Sequence, residues 1–263
     1  MTICIGSLCE AGKAIVFAAD RMVTAGYLSL EFEHQEKKIE GIKDFCVVMS
    51  SGDALVALEL VEELKRESTN AKTVAEIAGK LHKLLVSLSL KRAEQTYLIP
   101  RGLDWDFYRE RADRINPQLY MILDDYLSKF SLETDFLVAG IDEYGGHVIT
   151  VDFPGTIQYL DKIGFGAVGS GIPHATVSLC LDGQTRNRSL AESIHAVYVS
   201  KRKAESAPGV GSQTDMGIIT HDGIRFLESK HLETLAKVYE NSMKTQIDLS
   251  LIEKIREEIS IKK

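Results

Sequence analysis

Apolar and polar positions along this chain alternate between two spacings, one typical of buried strands and one of amphipathic helices. Ile3 to Leu8 and Ala14 to Ala19 are short apolar runs on either side of Gly12, and Lys38 to Ile42 and Phe45 to Ser50 repeat the arrangement around Lys43 and Asp44. Short apolar runs bounded by turn signals read as strands. Both pairs are rich in Val, Ile and Cys, as strands packed on both faces tend to be. The chain is therefore predicted to open with two hairpins, Gly12 supplying the positive φ of the first reversal.

From Leu55 the spacing lengthens. Leu55, Leu58, Val61 and Leu64 suggest one helical stripe, and after a Ser/Thr/Asn break Val74, Ile77, Leu81, Leu84 and Leu88 suggest another, opened by Thr73 and Glu76 at capping-box spacing. Two antiparallel helices covering a sheet are expected. Strands return at Phe136 to Ala139, His147 to Val151, Ile157 to Leu160 and Ile163 to Val168, punctuated by Gly145, Gly146 and Pro154. Ile172 to Leu181 and a stretch through Ile194 and Val197, capped by Ser189 and Glu192, predict a second helical pair. Met216 to Thr220 and Ile224 to Leu227 read as a hairpin turning at His221, Asp222 and Gly223, with helices from about His231. Two mostly antiparallel sheets packed face to face, each covered by helices, would bury every apolar face. The expected fold is α+β, a four-layer αββα sandwich in one domain over 1–263, with an insertion at about 91–132. A doubly wound parallel sheet would need single strands and helices in alternation, and the hairpins speak against it.

Composition narrows the function. With 263 residues and a formal charge of −7, the basic residues are dispersed among acids, which disfavours nucleic acid as a partner. The short run Lys201, Arg202, Lys203 reads as a solvated helix end. No apolar run has the length of a membrane span and no secretory leader is recognisable, so the expectation is a cytoplasmic protein without membrane contact. Cys4, Cys9, Cys46 and Cys180 have neither disulfide-like nor zinc-like spacing and are expected to be reduced, buried thiols. No metal and no cofactor is expected.

The remaining signal is a set of short segments in a fixed order. Thr2 opens the first strand; Ala18-Ala19-Asp20-Arg21 follows with Thr24 beyond, then Lys38-Ile39 and Ser51-Gly52-Asp53-Ala54. Downstream come Val138-Ala139-Gly140-Ile141-Asp142, Gly169-Ser170-Gly171 and Asp215-Met216-Gly217-Ile218-Ile219. Together they resemble the β-type subunits of the proteasome, in the N-terminal nucleophile hydrolase superfamily, over nearly the whole chain except about Lys91 to Leu132. The resemblance implies that fold and an N-terminal threonine peptidase. Thr2, exposed by loss of Met1, would be the nucleophile, with Lys38 beside it and Asp20 holding the lysine. Ser170 would hydrogen-bond the terminal amine, and the Thr24 backbone would align substrate as an added strand. An oxyanion-stabilising N–H would come from near Met49 or Ser50, where the family usually has glycine. The family also carries an Asp and a Ser-Gly before its ninth strand; Glu205 and Ser212 stand where those roles would fall, or else 205–212 is an ordinary Gly/Pro loop.

The chemistry can be argued from the residues as well. A threonine hydroxyl needs a base at neutral pH, and an N-terminal threonine carries one in its own α-amine, whose ordinary pKa is about 8. An adjacent ammonium lowers the proton affinity of both groups. The implied partners are a peptide or unfolded protein as substrate, further copies of the chain in a homo-oligomer, and an ATPase or other regulatory partner. The same scaffold also serves amidohydrolases and peptide transferases, and a non-catalytic ring subunit would retain Met1.

Overall fold

Both opening hairpins form. In the computed structural model, which describes residues 2–25, 30–33, 37–152 and 155–243, β1 (Cys4–Cys9) turns through Glu10–Gly12 into β2 (Ala14–Asp20). Gly12 sits at φ +85°, the region that favours glycine. β3 (Met22–Ala25) and β4 (Leu30–Glu33) make a separate two-stranded ribbon, and β5 (Ile39–Lys43) with β6 (Cys46–Gly52) is the second hairpin. Then follow α1 (Ala54–Glu67), α2 (Val74–Ala93), α3 (Trp105–Glu110) and α4 (Pro117–Lys129). β7 (Thr134–Asp142), β8 (Gly145–Asp152), β9 (Thr156–Tyr159) and β10 (Phe165–Val168) precede α5 (Ile172–Leu181), α6 (Leu190–Ala204), β11 (Thr214–Thr220) and β12 (Gly223–Phe226). These elements belong to one unit, Met1–Leu227; a second unit, Glu228–Lys263, contains α7 (Ser229–Met243). The helices expected after residue 243 lie outside the described residues.

Two five-stranded sheets result, ordered β10-β1-β2-β11-β12 and β5-β6-β7-β8-β9, and every described pairing is antiparallel. Side chains on a strand alternate between faces, and here each face finds a cover. On β6 and β7, Val47, Met49, Leu137 and Ala139 point into a core shared with Leu8, Ile15 and Phe17 of the other sheet. Their neighbours Cys46, Val48, Phe136 and Val138 point the other way, against Leu60, Leu64, Ile77 and Leu81 of α1 and α2. α6 covers β1 and β2, and α5 packs on β10. The succession of helix pair, sheet, sheet and helix pair is compatible with the expected sandwich and explains why the strands read as unbroken apolar runs.

Two local expectations are corrected. Leu55 and Leu58 are 78% and 59% exposed, while α1 buries Ala57, Leu60, Val61 and Leu64. Positions spaced strictly by three drift around a helix of about 3.6 residues per turn, so over that span they rotate through about half a revolution. The cysteines are free, but Cys180 is exposed rather than buried. The stretch at about 91–132 has its own small core of Leu98, Tyr108, Ile115 and Leu123, ringed by Tyr97, Trp105, Phe107 and Tyr120. Among the described residues no helix is long and apolar enough to cross a membrane.

Candidate functional site

The strand registers bring four distant residues to one end of the two sheets. Cys4 lies opposite Ala19 on β2 and opposite Val168 on β10, so Thr2, just before β1, is carried toward Asp20 on one side and Ser170 on the other. The Ile3 carbonyl accepts from Asp20 N–H at 3.2 Å, and the Thr2 carbonyl accepts from Gly171 N–H at 3.2 Å. Gly169, at φ +107°, permits this approach, because a Cβ there would lie 2.3 Å from the Thr2 carbonyl oxygen. Lys38 arrives from the second sheet, immediately before β5, where its carbonyl accepts from Ser50 N–H at 3.2 Å.

At the centre is the Thr2 hydroxyl. Its oxygen accepts from Lys38 Nζ, its O–H donates to Asp20 Oδ1, and Lys38 Nζ also lies 3.1 Å from that carboxylate oxygen. Thr2 N–H donates to Ser170 Oγ at 3.3 Å, and Ser170 donates in turn to the Pro208 carbonyl at 3.1 Å. Thr2 is 1% exposed and Asp20 fully buried. Asp20 Oδ1 also accepts from Ile3 N–H, and Oδ2 from Met22 and Gly211 N–H, all at 2.9 Å. Burial pushes the Asp20 carboxyl upward, but the Lys38 ammonium and the bonds from Thr2, Gly211 and Ile3 outweigh it and hold it below the ordinary 3.8. The carboxylate is ionised at neutral pH and anchors the ammonium against the hydroxyl.

Other expected residues fall elsewhere. Glu205 does not meet Thr2; its carboxylate accepts from Lys201 Nζ at 2.7 Å. The Ser212 hydroxyl donates to Glu33 Oε1 at 3.0 Å. The 205–212 loop does reach the site, through the Gly211 amide and the Pro208 carbonyl, because the backbone passes closer than either side chain. Ser50 N–H is occupied by Lys38, and Met49 sits mid-strand opposite Ile39 and Leu137 with its side chain in the core. Neither position leaves an evident free oxyanion donor. Thr24 lies on β3 opposite Glu31. Lys37 is exposed and holds its ammonium 4.5 Å from the centre of the Phe226 ring, away from Thr2.

The sequence matches no family model and no curated protein.

Sequence reasoning missed Lys201. It is completely buried, not the solvated helix end expected of Lys201-Arg202-Lys203. Its position four residues after Val197 and three before Ala204, both buried on α6, was the available signal. Arg21 and Asp215 were also passed over; they form a bidentate pair at 2.7 and 2.6 Å where β2 leaves its neighbour β11. Among the described residues no group of three or more His, Cys, Asp or Glu is arranged to hold a metal ion.

Proposed function

We propose that this protein is an N-terminal threonine hydrolase of the proteasome β type, with the αββα fold of that superfamily, and that it cleaves peptide bonds through a Thr2 ester. The observation that carries the reading is the convergence of the Lys38 ammonium and the Asp20 carboxylate on the Thr2 hydroxyl. Loss of Met1 would turn Thr2 N into a primary amine. That amine takes the hydroxyl proton as Oγ1 attacks the scissile carbonyl, and passes it to the departing amine as the C–N bond breaks. Water then attacks the ester, returning the proton to Thr2 and releasing the acid. Lys38, held by Asp20, lowers the proton affinity of both reacting groups, and Ser170 orients the amine. β3 has one partner, β4, among the described strands. Its other edge is suited to an extended peptide or unfolded segment as an added strand.

The test is the intact mass of the purified protein, alone and after an epoxyketone or β-lactone. A mass short by one methionine residue, plus a covalent adduct lost in Thr2→Ala, is expected. Retained Met1 would sink the reading and favour a non-catalytic subunit; amide products formed with an added amine would mark a transferase. Self-association belongs to the same proposal, and the exposed Leu55 and Leu58 on α1 are suited to a copy-to-copy contact. Leu55→Glu with Leu58→Glu should reduce an oligomer to monomers in light scattering.

A further inference from the structure

We propose that Lys201 is a positioning residue for the Thr2 centre, its ammonium clamping the 205–212 loop so that the loop backbone meets Asp20 and Ser170. The inference rests on the hydrolase reading above. A buried ammonium is costly unless its donors are all satisfied. Lys201 Nζ has three donors, and they go to Glu205 Oε1 at 2.7 Å, the Gly211 carbonyl at 2.9 Å and the Ser212 carbonyl at 2.8 Å. The clamp therefore closes on both ends of the loop.

Gly211 is held from two sides. Its carbonyl accepts from Lys201, while its N–H donates to Asp20 Oδ2 at 2.9 Å. The fit is close: a Cβ at 211 would lie 2.8 Å from Glu33 Oε1 and 3.1 Å from Met22 N, so a larger residue would displace the Glu33 carboxylate. Within the same loop, the Pro208 carbonyl accepts a hydrogen bond from the Ser170 hydroxyl at 3.1 Å, which leaves Ser170 Oγ turned to accept from Thr2 N–H. One buried side chain on α6 thus sets two backbone groups that orient the carboxylate and the serine. Burial pulls the Lys201 ammonium below its ordinary value, and the hydrogen bond and charge of Glu205 oppose that pull. Without the loop amide and the nearby positive charge, Asp20 and the Thr2 amine would both hold protons more tightly.

Lys201→Met removes the charge and keeps the length. Three measurements read it against wild type: hydrogen exchange of the 206–213 backbone, the kcat and KM split, and the pH profile of kcat/KM. The expected results are exchange faster by about tenfold or more, kcat lower by about tenfold or more with KM within about twofold, and an acid limb moved to higher pH. The limb moves upward because losing a positive charge raises the proton affinity of the amine and the carboxyl. A lysine that only stabilised the fold would leave that limb in place. Lys203→Met, on the exposed side of the same run, should leave all three unchanged. If Lys201→Met fails to fold, Lys201→Met with Glu205→Leu removes both charges together and avoids an orphan buried carboxylate; it should show the same exchange and kcat losses. Unchanged loop exchange, or a folded variant with wild-type turnover, would overturn the proposal. If wild type itself gives neither turnover nor adduct, the hydrolase reading fails, and the exchange comparison alone decides whether Lys201 holds the loop.

Discussion

A hydroxyl held between an ammonium and a carboxylate is polarised from both sides, and at Thr2 neither partner can be replaced by the other. In the proposed reaction Lys38 supplies charge to the attacking oxygen, and Asp20 supplies position through the five groups that donate to it. Thr2→Ala should abolish turnover, while Thr2→Ser, which keeps a hydroxyl, should retain part of it. Lys38→Ala should lower kcat/KM by about two to four orders of magnitude, in line with loss of a group that tunes proton transfer. Because the residues act as a unit, the double variant should be scarcely worse than Thr2→Ala alone. Lys37→Ala should cost less than about 1 kcal/mol of stability, the scale of an exposed cation–π contact, and leave kinetics unchanged. An essential Lys37 with a dispensable Lys38, measured in the same assay, would contradict the geometry. The meeting of Thr2, Asp20, Lys38 and Ser170 was legible because each makes its contact through a side chain next to a recognisable strand or turn. The support expected of Glu205 and Ser212 was not, because it comes from backbone atoms of the same loop, which side-chain identity does not encode.

At the scale of elements, helix starts were legible where side chains cap the backbone. Both capping boxes form reciprocally, Thr73 with Glu76 and Ser189 with Glu192. The phase of α1 was misjudged because large apolar residues occur on two of its faces, and only packing selects the one containing Ala57. The buried Lys201 was misjudged for the complementary reason, a charge on an otherwise apolar stripe. The insertion shows how an element with no outside template can still hold itself together. Tyr108 stacks on Tyr120 with ring centroids 4.9 Å apart, meets Trp105 edge-on at 6.0 Å, and donates to Asp124 at 3.0 Å. Removing a buried aromatic ring costs about 3–5 kcal/mol, and here the loss falls on a four-residue core separate from the sheets. Tyr108→Ala should therefore lower the thermal transition seen by fluorescence of Trp105, the single tryptophan, and leave the transition seen by circular dichroism nearly in place. Two probes that still coincide at a lowered temperature would show that insertion and body unfold as one.

At the scale of the whole molecule, local pattern predicted the hairpins but not which strands lie together. β5 to β9 are neighbours in chain order, whereas β1 and β2 are flanked by β10 and β11 from far along the sequence. Those long-range pairings depend on burying both faces at once. One polar cluster joins the passage from the second sheet to the first. His147, at the start of β8, lies 2.8 Å through Nδ1 from Asp161, in the turn between β9 and β10, and 3.2 Å through Nε2 from Asp142 at the end of β7. Asp142 also accepts from Val74 N–H at the start of α2 at 2.8 Å, and Asp161 from Val148 N–H at 2.9 Å. The bond to Asp161 raises His147 above its ordinary 6.5 against the effect of burial. Burial pushes Asp161 up, but the bonds from His147 and Val148 outweigh it and leave Asp161 below 3.8, with Arg186 adding positive charge nearby. A raised histidine stabilises the fold fully below its unfolded value and loses that contribution as pH rises through the folded one. A lowered carboxyl does the opposite, losing its contribution as pH falls through its folded value. The charged clamp is therefore complete between the two. His147→Gln keeps hydrogen-bonding capacity but not the charge, so its deficit in melting temperature should be large at about pH 5.5 and shrink by about pH 9. A deficit that stays constant across that range would mean that His147 contributes through shape and neutral hydrogen bonds alone.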